Sequence, residues 1–385
     1  MKKKLAALLT AAALAVTALA GCGSSSGDTA EEAAQEAVIE EDESEAQEET
    51  AAEAEEEEEE ETAAEEAEEE ETGEEESEEE EEVTGSVYDG TEIRVGSLSG
   101  PTTMGIVNLM DASDNGESVG NYTFTIGSEA SEIGALITTG DIDIAMLPAN
   151  LAANLYNKTG GGVTVIDINT LGVLYCVTGD ETINSIEDLA GHTVMSTGQG
   201  ATPEYALKYL LDAYGVADVT IDFYSESTEI AAYLQEDASG IAILPQPFVT
   251  SACAQNEALR VAFSLTDVWD AVVEDGSMLI TGATIVRTAF LEEHPDAVEV
   301  FLQEHAAAAR AAADDVEGTA ELVVTYGILS NAAIAANALP KCNIVCITGG
   351  EMRDALSGYL QTLYDQDPTA VGGAMPGEDF YYTGE

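Results

Sequence analysis

The chain has 385 residues, 76 acidic against 11 basic, and a formal net charge of −65. Such a chain has no basic patch to hold a phosphate backbone, which excludes nucleic-acid binding as a function class. No Lys/Arg run occurs beyond Lys2 to Lys4, and there is one tryptophan.

The first 22 residues read MKKKLAALLTAAALAVTALAGC. Three lysines precede an apolar run, Leu5 to Ala20, that is too short to span a membrane and is closed by small residues, which is the pattern of a secretory signal. Leu19-Ala20-Gly21-Cys22 has the form of a bacterial lipobox. Cys22 is therefore the expected lipidation site, with acyl chains attaching the protein to the membrane by burying methylenes. Residues 23–87 form an acidic tether. From Asp28 to Glu82 there are 33 of the 76 acidic residues and no Lys, Arg or His, leaving 43 acidic residues for the rest. A segment this charged and this poor in apolar residues cannot bury enough surface to order itself. Its contour limit is about 190 Å, enough to carry a domain clear of a membrane; a cation-buffering tail is the alternative.

From about residue 88 onward strand-like and helix-like segments alternate: EIRVGSL then TMGIVNLMDA, YTFTIG then ASEIGALITTG, DIDIAML then LAANLYNKT, then VTVIDINT and VLYCVTG. Alternation of this kind predicts an α/β fold with largely parallel sheet. The stretch Val194 to Leu211, VMSTGQGATPEYALKYLL, resembles a phosphate-cradling loop. It lacks the Gly-Lys-Ser/Thr that ends a phosphate loop and the third glycine of a dinucleotide fingerprint. Instead it repeats an earlier stretch, VGSLSGPTTMGIVNLM, Val95 to Met110. Each has a short strand, a Ser/Thr/Gly loop, a proline at the helix start and an apolar-striped helix. A second echo follows: Gly140 to Asn150 and Ala238 to Phe248 both carry Ile-Ala-x-Leu-Pro, with Pro148 and Pro245 separated by 97 residues and Ser99 and Thr197 by 98.

Two matched loops predict two similar lobes with a cleft between them and a helix N-terminus on each wall, where free N–H groups and the helix dipole favour an anionic or strongly polar ligand. Ligands of open α/β sheets lie beyond the carboxyl ends of the strands. The candidate site is Ser99, Gly100, Pro101, Thr102 and Thr103 facing Ser196, Thr197, Gly198, Gln199, Gly200 and Thr202. Pro148, Ala149 and Asn150 line one side, and Pro245, Gln246 and Pro247 the other. Taken singly, each loop reads as ordinary helix capping, by Ser99 or Thr102 and by Thr197 or Thr202. Trp269 and Tyr175 are candidates for stacking on a ligand, with a core position the alternative for each. Cys342 and Cys346, in CNIVC, lie about 13 Å apart if the run is a strand, too far to bridge. Cys176, Cys253, Cys342 and Cys346 are expected as buried thiols, and His192, His294 and His305 are scattered, so neither a metal site nor a cofactor is expected.

The lipobox at Cys22, GSLSGPTTMG, GDIDIAMLPANLAANLY, SIEDLAGHTVMSTGQGATPEY, ILPQPFVT and AVGGAMPGEDFYY together give the chain from Thr91 onward a resemblance to bacterial ABC-transporter solute-binding lipoproteins of the nitrate/sulfonate/taurine type, with their thiamine-pyrimidine-precursor relatives. The resemblance implies a type II periplasmic-binding-protein fold, two α/β lobes joined by two crossing segments with the ligand cleft between them. Residues 88–180 and 271–385 would form the first lobe and 181–270 the second. The crossings would fall near Val173 to Gly191 and near Ala262 to Gly276. It implies an importer's binding component, not an enzyme, that captures a small polar or anionic organic molecule. Its partners would be an ABC permease and ATPase, and the membrane through the lipid anchor, the chain itself being a monomer on the extracytoplasmic face. Presentation of ligand to a membrane sensor, or an enzyme of the same fold, are the alternatives. Members often carry an acidic residue where this chain has Gln246, which implies a less cationic ligand or a position that only shapes the turn.

Overall fold

The computed structural model describes residues 88–274 and 276–384. The signal segment, Cys22 and the acidic tether lie outside them. Eleven strands are present among the described residues: β1 (Glu92–Leu98), β2 (Asn121–Gly127), β3 (Ile144–Pro148), β4 (Val163–Leu171), β5 (Leu174–Thr178), β6 (Thr193–Ser196), β7 (Thr220–Phe223), β8 (Ile241–Pro245), β9 (Arg260–Ser264), β10 (Ile280–Arg287) and β11 (Ile344–Ile347). They form two sheets, in the orders β11-β4-β10-β3-β1-β2 and β7-β6-β8-β5-β9.

The internal repeat of the sequence is a repeat of topology. In the first sheet β1 runs parallel to β2 and β3, and β10 lies antiparallel to β3. In the second, β6 runs parallel to β7 and β8, and β5 lies antiparallel to β8. Beyond them, β4 and β9 are in turn antiparallel to β10 and β5, and β11 pairs antiparallel with β4 at the edge of the first sheet. Both sheets are therefore mixed rather than largely parallel. The reason is connectivity: β5 and β10 are the strands by which the chain enters each sheet from the other, and they insert against the direction of the βα units.

The strand ends set the geometry of the centre. The end of β4 lies beside the start of β10 (Leu171 opposite Ile280), and the start of β10 lies beside the end of β3 (Gly282 opposite Pro148). In the second sheet the start of β5 lies beside the ends of β8 and β9 (Leu174 opposite Pro245, Tyr175 opposite Ser264). Only Gly172 and Val173 separate β4 from β5, so these two sheet edges are held within about 11 Å of each other there. The second passage, 271–279, runs from the helix Leu265–Asp270 to the start of β10. The chain therefore passes from the first sheet to the second at Gly172–Val173. The apolar run VLYCVT is not a linker because it completes the second sheet, with Cys176 and Val177 fully buried.

Gly172 is fixed from both sides. Its carbonyl accepts from Thr266 Oγ1 at 3.1 Å and is also within 2.5 Å of Asn343 Nδ2, while Leu171 N–H donates to the Asn343 carbonyl. A Cβ at Gly172 would lie 2.3 Å from Thr266 Oγ1 and 2.9 Å from Leu279 Cδ2, so only glycine fits. On the rim of the first sheet, the carboxylate of Asp143 is buried between two guanidiniums, accepting from Arg94 Nε at 2.7 Å and pairing with Arg287. Burial works against that charge, but the Arg94 and Arg287 hydrogen bonds outweigh it and hold the carboxyl below its usual range. Among the described residues no helix is long and apolar enough to cross a membrane.

Candidate functional site

All four predicted segments lie at the two sheet edges that meet at Gly172–Val173. Ser99, Gly100, Pro101, Thr102 and Thr103 follow β1; Pro148 ends β3, with Ala149 and Asn150 opening the next helix; Ser196 ends β6, with Thr197, Gly198, Gln199 and Gly200 after it; Pro245 ends β8, followed by Gln246 and Pro247. The local chemistry differs from expectation in each loop. Neither helix start carries a side-chain cap: the capping residues are Gly100 (φ 137°) and Ala201. Thr102 and Thr202 are the second and first residues of their helices instead.

The Thr102 hydroxyl donates to the Leu98 carbonyl at 2.6 Å, and that of Thr103 donates within the same loop, to Ser97 Oγ at 2.8 Å or Leu98 O at 2.7 Å. With its proton committed, a threonine hydroxyl retains only acceptor capacity. The Thr102 methyl packs over β10: a Cβ on Gly282 would lie 2.9 Å from Thr102 Cγ2 and 2.3 Å from Asn169 Oδ1. In the second loop Thr202 Oγ1 lies 3.0 Å from the Tyr359 hydroxyl, on the helix Gly349–Gln366. Gly200 N–H donates at 2.6 Å to the carboxylate of Glu204, which also pairs with Lys208. Burial disfavours that carboxylate's charge, but Lys208 and the Gly200 N–H hold its pKa below the usual value. The phosphate-like loop thus already carries an internal anion at Gly200.

Two other predicted residues hold buried donors that lack a partner. Gln246 is buried; its Oε1 accepts from Thr250 Oγ1 at 2.8 Å, while its Nε2 has no partner. Trp269 is fully buried against Tyr209 and Tyr359, with ring centroids at 4.7 and 5.9 Å, and its Nε1 also has no partner. A buried donor left unpaired costs about 1–3 kcal/mol; neither residue lines the cavity beside the second loop. Tyr175 is half-buried and donates to the Lys341 carbonyl at 2.9 Å, tying the second sheet to the segment before β11.

A cavity of 570 Å³ opens beside the second loop, lined by Gln199, Gly200, Glu204, Tyr205, Lys208, Tyr209, Asp212, Gln366 and Asp367. Of the predicted residues it contains only Gln199 and Gly200. Its three carboxylates against one lysine make it unsuited to an anion. Tyr359, Tyr209, Gln366 and Asp367 were not expected near these loops; Tyr359 and Gln366 arrive on the helix Gly349–Gln366, Asp367 directly after it, and Tyr209 on the helix Thr202–Ala213, from patterns that read as ordinary amphipathic helix. Of the cysteines, Cys176 and Cys342 are buried free thiols as expected, and Cys253 and Cys346 are half-buried. The expectation that the histidines join no cluster is corrected by His305. It is fully buried on the helix Pro295–Asp314, with Asp167 Oδ2 at 3.2 Å from its Nδ1, and groups with Asp167 and Cys346. Burial alone would lower its pKa, but the Asp167 carboxylate raises it to about 10.

Residues 127–317 match the family described as NMT1/THI5 like. No curated protein matches the sequence. Among solved structures, an ABC transporter from Parabacteroides distasonis is similar at 23% identity and TM-score 0.65, covering 77% of this chain and 100% of that one. The periplasmic aliphatic sulphonate binding protein SsuA from Escherichia coli is similar at 14% identity and TM-score 0.60, covering 76% and 92%. The alkanesulfonate-binding protein SsuA from Xanthomonas axonopodis pv. citri, bound to MOPS, is similar at 11% identity and TM-score 0.56, covering 76% and 96%. Residues 127–317 are thus NMT1/THI5-like in sequence, and the described chain has the fold of the periplasmic substrate-binding proteins of ABC transporters.

Proposed function

We propose that this chain is the extracytoplasmic solute-binding component of an ABC importer. It holds a small polar or anionic organic molecule, of the sulfonate, nitrate or thiamine-precursor kind, between its two sheet edges and delivers it to a permease and its ATPase. The lobes in this reading are 88–172 with 271–385, and 173–270. The observation that carries it is the pair of buried, partnerless donors, Gln246 Nε2 and Trp269 Nε1, in the segments that follow β8 and β9 at the edge where the sheets meet. Gln246 stands where an acidic side chain would offer only acceptors, so this chain selects for acceptor-bearing ligands. The hydroxyls of Thr102 and Thr103, whose protons are committed within their own loop, contribute shape rather than hydrogen bonds to such a ligand, and the Glu204-occupied loop contributes little to anion binding. Cys22 anchors the chain by its acyl groups, residues 23–87 act as a spacer, and the protein works as a monomer.

The test is a thermal-shift screen of aliphatic sulfonates, taurine, nitrate and pyrimidine thiamine precursors. A ligand at a hundred times its Kd stabilises by about 2.7 kcal/mol, which is about 4 °C for a domain of this size. No shift with any of these compounds would contradict the proposed ligand class.

A further inference from the structure

The polar cluster inside the first sheet is unlike its surroundings. β4 is buried along nearly its whole length, yet it carries Asp167 and Asn169 on one face. Asp167 Oδ2 meets His305 Nδ1 at 3.2 Å, and both residues are fully buried. Cys346 reaches the same point from β11, the strand antiparallel to β4, and the three residues place one ligand-type atom each within 4.8 Å of one another. His305 Nε2 is buried and has no hydrogen-bond partner.

We propose that Asp167, His305 and Cys346 form a binding site for a borderline-soft divalent transition-metal ion of the Zn²⁺ class, independent of the solute site. One carboxylate oxygen, one imidazole nitrogen and one thiolate are the ligand types that such an ion takes in tetrahedral sites, with the fourth position left to water. Bonds of about 2.0–2.3 Å put neighbouring donor atoms about 3.3–3.6 Å apart. With Nδ1 as the imidazole ligand atom, Asp167 Oδ2 and His305 Nδ1 at 3.2 Å are close to that spacing, and Cys346 needs to close by at most about 1.3 Å. An orienting outer layer is also present. Thr284 Oγ1 donates to the other oxygen of Asp167 at 2.7 Å, Asn169 Nδ2 donates to Thr284 at 3.1 Å, and Thr170 donates to Asn169 Oδ1 at 2.8 Å. Outer hydrogen bonds of this kind fix ligand orientation and tune affinity. Of the three residues, Cys346 also lines a 350 Å³ cavity, together with Ala306, Arg310 and Val345.

The full-length protein, stripped with a chelator, is titrated with Co²⁺ and then Zn²⁺. The expected result is a near-ultraviolet thiolate-to-cobalt charge-transfer band that saturates at one equivalent and is bleached by Zn²⁺. The acidic N-terminal carboxylates give no such band, so they do not obscure it. The band should be absent in Cys346→Ser and unchanged in Cys253→Ser and Cys22→Ser, and Asp167→Asn should weaken Co²⁺ binding about tenfold or more. Should Cys346→Ser misfold by circular dichroism, Cys346→Ala serves instead, since the side chain is only half-buried. No charge-transfer band at saturating Co²⁺, or a band that survives the loss of the Cys346 sulfur, would overturn the proposal.

Discussion

Replacing Gly172 by alanine tests the reasoning about the passage between the sheets. The added Cβ would lie 2.3 Å from Thr266 Oγ1 and 2.9 Å from Leu279 Cδ2. Overpacking of this kind costs about 1–3 kcal/mol. Moving Thr266 aside also removes its 3.1 Å hydrogen bond to the Gly172 carbonyl, worth about 1 kcal/mol. The reduced freedom of the unfolded chain returns about 0.4–1 kcal/mol. The net loss is about 2–3 kcal/mol. With an unfolding entropy of about 2.1 cal/mol/K per residue over about 300 residues, the melting temperature should fall by about 3–5 °C. A double-mutant cycle isolates the cause. Thr266→Ala alone removes one hydrogen bond, but in the Gly172→Ala background it also removes the colliding oxygen, so the double variant should be at least about 1 kcal/mol more stable than the sum of the singles predicts. Thermal and urea unfolding followed by circular dichroism reads both. A Gly172→Ala protein that melts with the parent, or strictly additive variants, would refute the claim that glycine is required there by contact.

The Asp143 carboxylate is held below its usual pKa by Arg94 and Arg287. Its folded value lies below its unfolded one, so its contribution is present above about pH 4 and is lost as pH falls through the folded pKa. Asp143→Asn should lose about 1.5–3 kcal/mol at pH 7, because hydrogen bonds to two partly exposed guanidiniums lose their charged acceptor, and its melting temperature should fall less steeply than the parent's below pH 4; equal acid slopes would contradict this. Cys22→Ser should release the protein from the membrane fraction into the medium, and cell-bound protein at the parental level would sink the lipid-anchor reading.

Much of the fold was legible because its local signals are strong. The strand EIRVGSL coincides with β1, and VTVIDINT lies within β4. The repeated Leu-Pro turns end β3 and β8, at matching places in the two sheets. The insertion of β10 between β3 and β4 was not legible, because the pairing joins segments more than a hundred residues apart and leaves no local periodicity. The sheet membership of β5 was hidden for the same reason: VLYCVT reads as a strand, but nothing within it says which sheet it joins. At the site, the loops were found and their hydrogen bonding was not. A threonine at a helix start suggests a cap, yet Thr102 turns its hydroxyl back to Leu98, and Glu204, one turn into the next helix, reaches back to Gly200. The Asp167–His305–Cys346 cluster left two traces in the sequence. Asp167 and Asn169 interrupt the face of a buried strand that otherwise carries Val163, Val165 and Leu171, and His305 occupies a position on the apolar stripe of its helix, between Phe301, Leu302 and Ala308.

The central claim is that an acceptor-bearing solute binds where the two sheet edges meet, against Gln246 and Trp269. Trp269 is the one tryptophan of the chain, so its emission, excited selectively, reports on that place alone. The most direct measurement is a fluorescence titration of the parent and Gln246→Leu with the ligand found by thermal shift. The account predicts a saturable change in Trp269 emission and a Kd weakened in Gln246→Leu by about 5- to 150-fold, the equivalent of one buried hydrogen bond of about 1–3 kcal/mol. A ligand that binds by calorimetry while leaving Trp269 emission unchanged, with the same affinity for the Gln246→Leu protein, would contradict it.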